Sequence, residues 1–257
     1  MTRKAKIFSV VNQKGGVGKT TTTINLATAI ASSRNKVLII DIDPQGNAST
    51  GIGVAYNQRQ KTIYEVLIGN CKVNDAIMPT KIKGLDVITA TVDLSALEIE
   101  FADVKDKNYI LKNKIEEISS EYDYIFIDCP PSLGVLTINT LTASDYVLIP
   151  MQCEFFSLEG LSHLLTTLEL VKNNLNPTLK IAGIILTMHD RRNKLTEAVE
   201  IDVRNYLEDK VFKNIVPRNV KLSEAPSYGE PALTYDPECR GSIAYKMLAK
   251  EILARNF

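Results

Sequence analysis

The sequence predicts an α/β fold in which a doubly wound, mostly parallel sheet is flanked by helices. Two observations predict it: runs rich in valine and isoleucine, and amphipathic stretches of helical length that alternate with them. Near-continuous apolar strands are typical of parallel sheets, which helical crossovers cover on both faces. At 257 residues and 45% hydrophobic content, the chain is long enough for one large domain, and we expect residues 1–257 to form a single domain.

Six strands and six helices are expected in alternation. The strands are expected at 7–11, 37–43, 85–90, 124–129, 146–151 and 181–188. The helices are expected at 19–33, 107–120, 133–143, 157–173, 194–209 and 241–255, with proline or glycine at most of the breaks. The stretch 45–80 is the least regular, so insertions or moving segments are expected there.

Composition argues against several classes of protein. Thirty basic and thirty acidic residues cancel, so contact with nucleic acid or anionic lipid requires a local patch. The four cysteines are far apart and form no C-x-x-C pair, which argues against a disulfide framework or a zinc site within the chain. No apolar run approaches the ~20 residues of a membrane span, and the N-terminus has no signal-peptide core. We therefore expect a cytoplasmic protein.

A glycine-rich segment, NQKGGVGKTT at 12–21, joins the first expected strand to the first expected helix. Its end fits the phosphate-loop pattern G-x-x-x-x-G-K-[ST], although Gln13 stands where the first glycine belongs. In this position backbone N–H groups can point at phosphates, helped by the helix dipole. Lys19 would neutralise the β- and γ-phosphates, and the Thr20 hydroxyl would bind Mg²⁺. The residues expected to bind nucleotide here are Gly15, Gly16, Val17, Gly18, Lys19, Thr20 and Thr21. The structural alternative is a glycine-rich turn without a ligand.

Acidic residues end two further strands. Strand alternation would put Asp41 and Asp43 on the same face at the carboxyl end of the second strand, where ligands bind in parallel sheets. The strand YIFID ends in Asp128, as a Walker B strand does when it directs a carboxylate toward Mg²⁺. One apolar strand that ends in aspartate is weak evidence, but the three motifs together predict a site for a nucleotide and magnesium.

Five stretches carry a family resemblance that covers essentially the whole chain: KGGVGKTT, DIDPQGNAS, IDCPPSLG, CEFFSLEGL and VPRNVKLSEAPSYGEPALTYD. They resemble the ParA/Soj proteins, which belong to the deviant Walker A group of P-loop ATPases together with MinD and the nitrogenase iron protein. The last stretch resembles ParA rather than these relatives. The resemblance implies hydrolysis of ATP to ADP and phosphate, with ATP and Mg²⁺ bound in an ATP-dependent homodimer.

The same resemblance implies roles for individual residues. Lys14 matches the signature lysine that reaches the phosphates bound by the other subunit, a role in trans that makes sense because Lys19 already serves its own loop. A solvated turn lysine is the structural alternative. By resemblance, Asp43 orients or deprotonates the attacking water, while Asp41 and Asp128 hold the magnesium shell around the direct ligand Thr20. Because the neutralising lysine comes from a partner subunit, hydrolysis should be slow in the isolated protein.

Recognition of the base and ribose is implied for residues late in the chain. Pro217 and Asn219 would lie near the adenine, with Thr187 at the end of the strand before them, and Glu154 would reach the partner's ribose. Two structural alternatives remain open. Pro217 could simply close a turn, and Asn219 could cap the helix that begins near Val220.

Two kinds of target remain for such a switch. By resemblance to ParA, the ATP-bound dimer binds duplex DNA without reading its sequence, associates with the nucleoid and is stimulated by a ParB-like partner during chromosome or plasmid partition. The DNA contacts are then expected at Arg192, Arg218, Lys221 and Lys250. The alternative is a MinD-like positioning ATPase whose C-terminal helix lies on lipid. Because the apolar stripe of that helix (Ile243, Ala244, Met247, Leu248, Ile252 and Leu253) also suits packing on the sheet, we expect no membrane partner.

Overall fold

The computed structural model describes residues 4–155, 157–255 and 257, and a seven-stranded sheet lies at its centre. The strands are β1 Lys6–Val10, β2 Val37–Asp41, β3 Ile77–Pro79, β4 Leu85–Ile88, β5 Tyr124–Asp128, β6 Tyr146–Gln152 and β7 Lys180–Thr187. Their order in the sheet is β3-β4-β2-β5-β1-β6-β7. Every pairing is parallel except that of β3 with β4. The prediction of a mostly parallel α/β sheet is therefore confirmed.

Helices cover both faces of this sheet. The α-helices are α1 Lys19–Ala31, α2 Asn47–Gly51, α3 Ile63–Leu67, α4 Leu97–Glu100, α5 Ile110–Ile118, α6 Val135–Ala143, α7 Ser157–Asn174, α8 Lys194–Leu207, α9 Val220–Glu224, α10 Ala232–Tyr235 and α11 Arg240–Ala254. Short 3-10 helices lie at Tyr56–Gln58, Val73–Ala76, Val92–Ala96, Lys107–Tyr109, Ser119–Glu121, Glu208–Lys210 and Ala225–Tyr228. In the described part of the chain, no helix has the length and apolar character needed to cross a bilayer.

Alternation along the strands divides the core between the two faces. In β2, Leu38 and Ile40 face one cluster, which also contains residues of α5, α6 and α7. Val37 and Ile39 face a second cluster, which contains residues of α1 and α11. All five residues of β2 are buried. Burial on both sides explains why this strand reads as a continuous apolar run.

The second strand is shorter than expected. It ends at Asp41, after which the chain turns and the Asp43 backbone N–H donates to Asp41 Oδ1 at 3.2 Å. Strand alternation therefore does not position Asp43, and that part of the prediction was wrong. The turn itself keeps the two carboxylates at the same edge of the sheet.

Both edges of the sheet offer few backbone N–H and C=O groups for pairing with another strand. The edge strand β3 was not predicted; it has three residues and ends in Pro79, which has no N–H to donate. Beyond β7, isolated bridges pair Ile184 with Val211 and His189 with Pro217. Each edge is therefore covered or interrupted.

The C-terminal helix packs on the sheet, but not with the whole of its expected stripe. Residues Ala244, Tyr245, Leu248 and Ile252 are buried in the cluster shared with α1. Ile243 and Met247, which the sequence assigned to the same packed side, are instead 41% and 52% exposed. The packed face of α11 is thus centred on Tyr245, and the solvent side carries two apolar side chains.

Glu251 ties α11 to the segment that follows α8. Its carboxylate accepts hydrogen bonds from the backbone N–H groups of Lys213 and Asn214 at 2.9 and 3.1 Å, and from Arg255 Nη2 at 3.0 Å. Burial alone would raise the pKa of Glu251, but these hydrogen bonds outweigh it and hold the pKa below its usual value.

We expect Glu251→Gln to lower the free energy of unfolding by about 1–2 kcal/mol at pH 7, because it weakens several charge-assisted hydrogen bonds. A carboxyl group with a depressed folded-state pKa stabilises the protein above its unfolded pKa, near 4.5. That stability is lost as the pH falls through the folded value. In denaturant titrations, the gap between the wild type and Glu251→Gln should therefore narrow below about pH 4.5, and a gap that stayed constant would contradict this account.

Candidate functional site

The loop between β1 and α1 has an open outer face. Gly16 and Gly18 have φ angles of 73° and 88°, a left-handed conformation that a side chain would strain. A Cβ added at Gly15 or Gly16 would meet no atom within 4 Å. The first turn of α1 contains no acidic residue of its own, and its N-terminus favours negative charge. The space over the loop is suited to an anion.

Neighbouring strands hold this loop in place. Thr187 Oγ1 donates to the carbonyl of Val17 at 2.8 Å, and Asn12 Nδ2 donates to the carbonyl of Pro150 at 2.7 Å. Gln152 Nε2 donates to the carbonyl of Gly16 at 3.2 Å. Sequence reasoning did not single out Asn12 or Gln152, because a polar residue near a strand end carries no signal of its partner.

Three aspartates meet beside the loop. Asp41 and Asp128 are fully buried and lie opposite each other in the register of β2 and β5, while Asp43 is 7% exposed. Burial raises the pKa of Asp41 and of Asp128, and the nearby carboxylates raise both further. Burial lowers the pKa of Lys19, whereas Asp128 opposes that shift. This concentration of acidic groups is suited to a cation.

Hydroxyl groups hold these carboxylates. Thr20 Oγ1 and Thr23 Oγ1 donate to the two oxygens of Asp128 at 2.7 and 2.8 Å. Ser49 donates to Asp41 Oδ2 from its backbone N–H at 2.8 Å and from its hydroxyl at 2.7 Å. Thr23 and Ser49 were not predicted; the sequence offers only a run of threonines and an unremarkable serine.

The described residues contain no group of three or more His, Cys, Asp or Glu side chains arranged to hold a metal by themselves. Magnesium in nucleotide sites is usually held by one or two carboxylates together with substrate phosphates and water. A threonine hydroxyl beside Asp128, under an open anion-binding loop, fits that kind of site.

The residues expected near a base surround a cavity of about 70 Å³. Its lining residues are Gly18, Thr21, Thr187, Met188, Val216, Pro217, Arg218, Asn219, Leu222, Ser223 and Tyr245. Asn219 Oδ1 accepts from the backbone N–H of Lys221 at 2.9 Å and caps α9. The capping role that the sequence analysis left open for this residue is therefore observed. Pro217 pairs with His189 in an isolated bridge. Thr187, Pro217 and Asn219 therefore lie together beside the loop.

Lys14 and Glu154 meet at the rim of the site. Lys14 Nζ lies 2.5 Å from Glu154 Oε2, and the two side chains are 41% and 49% exposed. Lys19 Nζ, in contrast, is inside the loop and donates to the carbonyl of Lys14 at 3.2 Å. The side chain of Lys14 thus lies outside the loop, and that of Lys19 lies inside it.

The four basic residues expected to contact DNA are exposed or half-exposed, and two of them have acidic partners. Arg192 donates to both oxygens of Asp190, at 2.9 and 2.8 Å, and these bonds hold the pKa of Asp190 far below its usual value. Lys221 Nζ lies 2.9 Å from Glu224 Oε2. Arg218 and Lys250 are exposed. The four basic residues therefore differ in their acidic neighbours, which the sequence alone does not show.

A strand–loop–helix unit with a lysine beneath the loop and carboxylates at two neighbouring strand ends defines a P-loop ATPase. A family model described as AAA domain matches residues 5–181. The chromosome partitioning protein ParA of Caulobacter vibrioides is 53% identical over 97% of this chain and 94% of its own length. The sporulation initiation inhibitor protein Soj of Bacillus subtilis is 50% identical over 97% of this chain and 98% of its own. The chain belongs to the ParA/Soj family of chromosome-partitioning ATPases.

Solved structures share the fold. A cobyrinic acid a,c-diamide synthase of Mycobacterium smegmatis, solved with ADP and magnesium, is 32% identical with a TM-score of 0.85 over 97% of this chain and 94% of its own. The cell division ATPase MinD of Pyrococcus furiosus is 29% identical with a TM-score of 0.81 over 97% of this chain and 99% of its own. Because a MinD protein also matches closely, fold similarity by itself does not choose between DNA and membrane as the target.

Proposed function

We propose that this chain is an ATP-dependent partition switch. ATP and Mg²⁺ close a homodimer, the dimer binds duplex DNA without sequence preference, and hydrolysis stimulated by a ParB-like partner dissolves it. The cycle drives partition of a chromosome or plasmid, in the cytoplasm and on the nucleoid while ATP is bound. The observation that carries the proposal is the position of Lys14, outside a loop that Lys19 already serves.

The contacts around the loop support the roles proposed at the phosphates. Backbone N–H groups from Gly15 to Thr21 and the ammonium group of Lys19 hold the phosphates. Mg²⁺, when bound, would neutralise charge on the phosphates. The Thr20 hydroxyl would still donate to Asp128, as in the present 2.7 Å hydrogen bond, and its oxygen would offer a lone pair to the cation. Asp41 and Asp128 would hold the magnesium shell.

Asp43 is proposed to orient or deprotonate the attacking water. Its Oδ1 accepts from the backbone N–H of Gln45 at 3.0 Å, which fixes the carboxylate at the start of a tight turn. Phosphoryl transfer needs this positioning together with charge neutralisation, and little covalent chemistry from the protein.

Dimerisation completes each site in this proposal. Lys14 leaves Glu154 and reaches the phosphates of the partner subunit, and Glu154 becomes available for the partner's ribose. The pair is half-exposed, and exposed ion pairs contribute only about 0–1 kcal/mol, so exchanging it for phosphate contacts costs little. An isolated subunit, which lacks the second lysine at its phosphates, should hydrolyse ATP slowly.

The base is proposed to lie near Pro217 and Asn219, with Thr187 at the end of the strand before them; all three line the small cavity beside the loop. Asn219 Oδ1 caps α9, so its Nδ2 is the group proposed to face the base. Thr187 donates to the carbonyl of Val17 and would act by holding the loop beside the base.

The DNA surface is proposed to comprise Arg192, Arg218, Lys221 and Lys250. Binding without sequence preference neutralises phosphates and releases counterions, and two weak surfaces joined in one dimer act together. Arg192 and Lys221 are held in ion pairs with Asp190 and Glu224, whereas Arg218 acts on Asp190 through its charge without such a pair, so we expect Arg218 and Lys250 to contribute more.

A MinD-like membrane switch remains the second candidate, since exposed Ile243 and Met247 lie on the same helix as Lys246 and Lys250. An interfacial helix, however, needs a broad apolar face, and the rest of this one is buried against α1. The partition switch is therefore favoured.

The test uses Asp43→Ala, which should bind ATP without hydrolysing it, with random-sequence duplex DNA at several salt concentrations and with ATP or ADP. We expect binding with ATP only, weakening steeply with salt. Adding Arg218→Ala or Lys250→Ala should reduce the salt slope by about two per dimer, one for each lost phosphate contact. Lys83→Ala, an exposed lysine in the β3–β4 turn, is the matched control. Binding to anionic vesicles instead of DNA would favour the membrane switch. DNA binding that is equally strong with ADP and with ATP would refute a switch that ATP controls.

A further inference from the structure

Arg59 is a buried arginine beside the acidic turn that follows β2. It is 8% exposed, and burial lowers its pKa while the charge of Asp41 opposes that shift. Its Nη1 donates to the carbonyl of Ala90 at 3.0 Å, and its Nη2 donates to the carbonyl of Val54 at 2.9 Å and to Thr50 Oγ1 at 2.7 Å. A buried cation is costly unless its donors are satisfied, and here neutral acceptors from three segments satisfy them.

The guanidinium closes one side of the turn at 43–46. Gly46 has a φ of 62°, and a Cβ at this position would overlap Arg59 Nη1. The Gly46 N–H donates to the carbonyl of Asp43 at 2.8 Å, so the residue against which Arg59 packs also closes the turn that carries Asp43. The guanidinium therefore packs directly against this turn.

Ala90 links Arg59 to the buried carboxylate of Asp41. Its carbonyl accepts from Arg59, and its N–H donates to Ser49 Oγ at 3.0 Å. Ser49 Oγ in turn donates to Asp41 Oδ2 at 2.7 Å. The carbonyl and the N–H of Ala90, which follows β4, thus connect Arg59 and Ser49 to the segment that carries Asp41 and Asp43.

We propose that Arg59 is a positioning residue for ATP hydrolysis, which clamps the 43–46 turn to the end of β4 and so keeps the Asp43 carboxylate where it meets the attacking water. The proposal rests on the role proposed above for Asp43. The side-chain hydrogen bonds described above tie the phosphate loop to β6 and β7, so nucleotide affinity should depend little on Arg59. Misplacing a catalytic group by about 1 Å can cost about 100-fold in rate.

The experiment compares Arg59→Met, which keeps much of the side-chain length without the donors, with Arg59→Lys, which keeps the charge. We expect kcat of Arg59→Met to fall about 10- to 100-fold, with KM for ATP within about threefold of the wild type. Arg59→Lys should recover part of kcat. In an Asp43→Ala background, Arg59→Met should cause no further loss, because it acts through Asp43.

Arg255→Met is the matched control. Arg255 also donates to a backbone carbonyl, that of Ala182 at 3.1 Å, and stacks on Phe212 near the amino end of β7, far from the loop. It should lower thermal stability and leave kcat unchanged when assayed well below its melting temperature.

Three results would overturn the proposal: an unchanged kcat in Arg59→Met, a rise in KM with kcat retained, or an equal loss of kcat in Arg255→Met. If Arg59→Met does not fold, Arg59→Lys decides, since it should still lose at least about threefold in kcat at constant KM. If Asp43→Ala loses ATP hydrolysis and Arg59→Met keeps the wild-type kcat, only the role proposed for Arg59 is refuted. Normal hydrolysis in Asp43→Ala would remove the proposed role of Asp43, and the clamp with it.

Discussion

Replacing Asp43 with alanine is expected to lower the rate of ATP hydrolysis by about 10²- to 10⁴-fold, the usual contribution of a positioned general base. ATP binding should be retained, because Lys19 and the backbone of the phosphate loop are untouched. Single-turnover hydrolysis and equilibrium binding of a fluorescent ATP analogue, measured on the same preparation, separate the two effects.

Asp43→Asn is the matched variant for this prediction. It keeps the shape and an oxygen that can accept from Gln45, but not the charge. If Asn restores much of the rate, Asp43 orients water without taking its proton; if it does not, the charge is needed. Hydrolysis at the wild-type rate in Asp43→Ala would show that the carboxylate has no catalytic role.

Lys14→Ala is expected to reduce hydrolysis by about 10³-fold and to weaken ATP-dependent dimerisation, because a charge supplied from a partner at the transferred phosphate is worth that much in related P-loop enzymes. Sedimentation with a non-hydrolysable ATP analogue and steady-state hydrolysis give the two readouts. Glu154→Gln is a useful comparison, since it releases Lys14 from its present partner without removing the ammonium group.

Mixing variants distinguishes a lysine in trans from one in cis. In a dimer of one Lys14→Ala subunit and one Asp43→Ala subunit, the site on the first has its own Asp43 and receives Lys14 from the second. If pairing were unbiased, half the dimers would be mixed, with one complete site of two; because Lys14→Ala weakens dimerisation, we expect activity to appear from two inactive proteins at up to about a quarter of the wild-type rate. If Lys14 acts in cis, no complete site forms and the mixture stays inactive.

The course of the chain through the central strands could be predicted because local pattern determines it. The runs at β2 and β5 are buried throughout, and the run at β1 is buried from Phe8 onward; burial on both faces leaves a clear apolar signal. The edge strand β3 escaped prediction because two half-exposed residues followed by the exposed Pro79 carry no such signal. The end of β2 was misjudged by two residues, since Asp41 and Asp43 look alike in sequence although only the first is in the strand.

The candidate site divides in the same way. Lys19, Thr20 and Asp128 could be found because each follows a contiguous motif whose spacing the phosphate chemistry requires. Thr23, Ser49 and Arg59 could not, because their roles depend on partners 105, 8 and 31 positions away in the chain. Long-range contacts of polar side chains leave no local pattern, so the groups that hold the carboxylates appear only in three dimensions.

The covered outer strands limit how copies of this protein can associate. A sheet whose border offers a row of free N–H and C=O groups can grow by adding a strand from another molecule, which leads to open-ended stacking. Here Pro79 interrupts one border, and the bridges to Val211 and Pro217 occupy part of the other. Sheet extension is thereby disfavoured at both borders, and with it the open-ended growth of fibres through a continuous sheet.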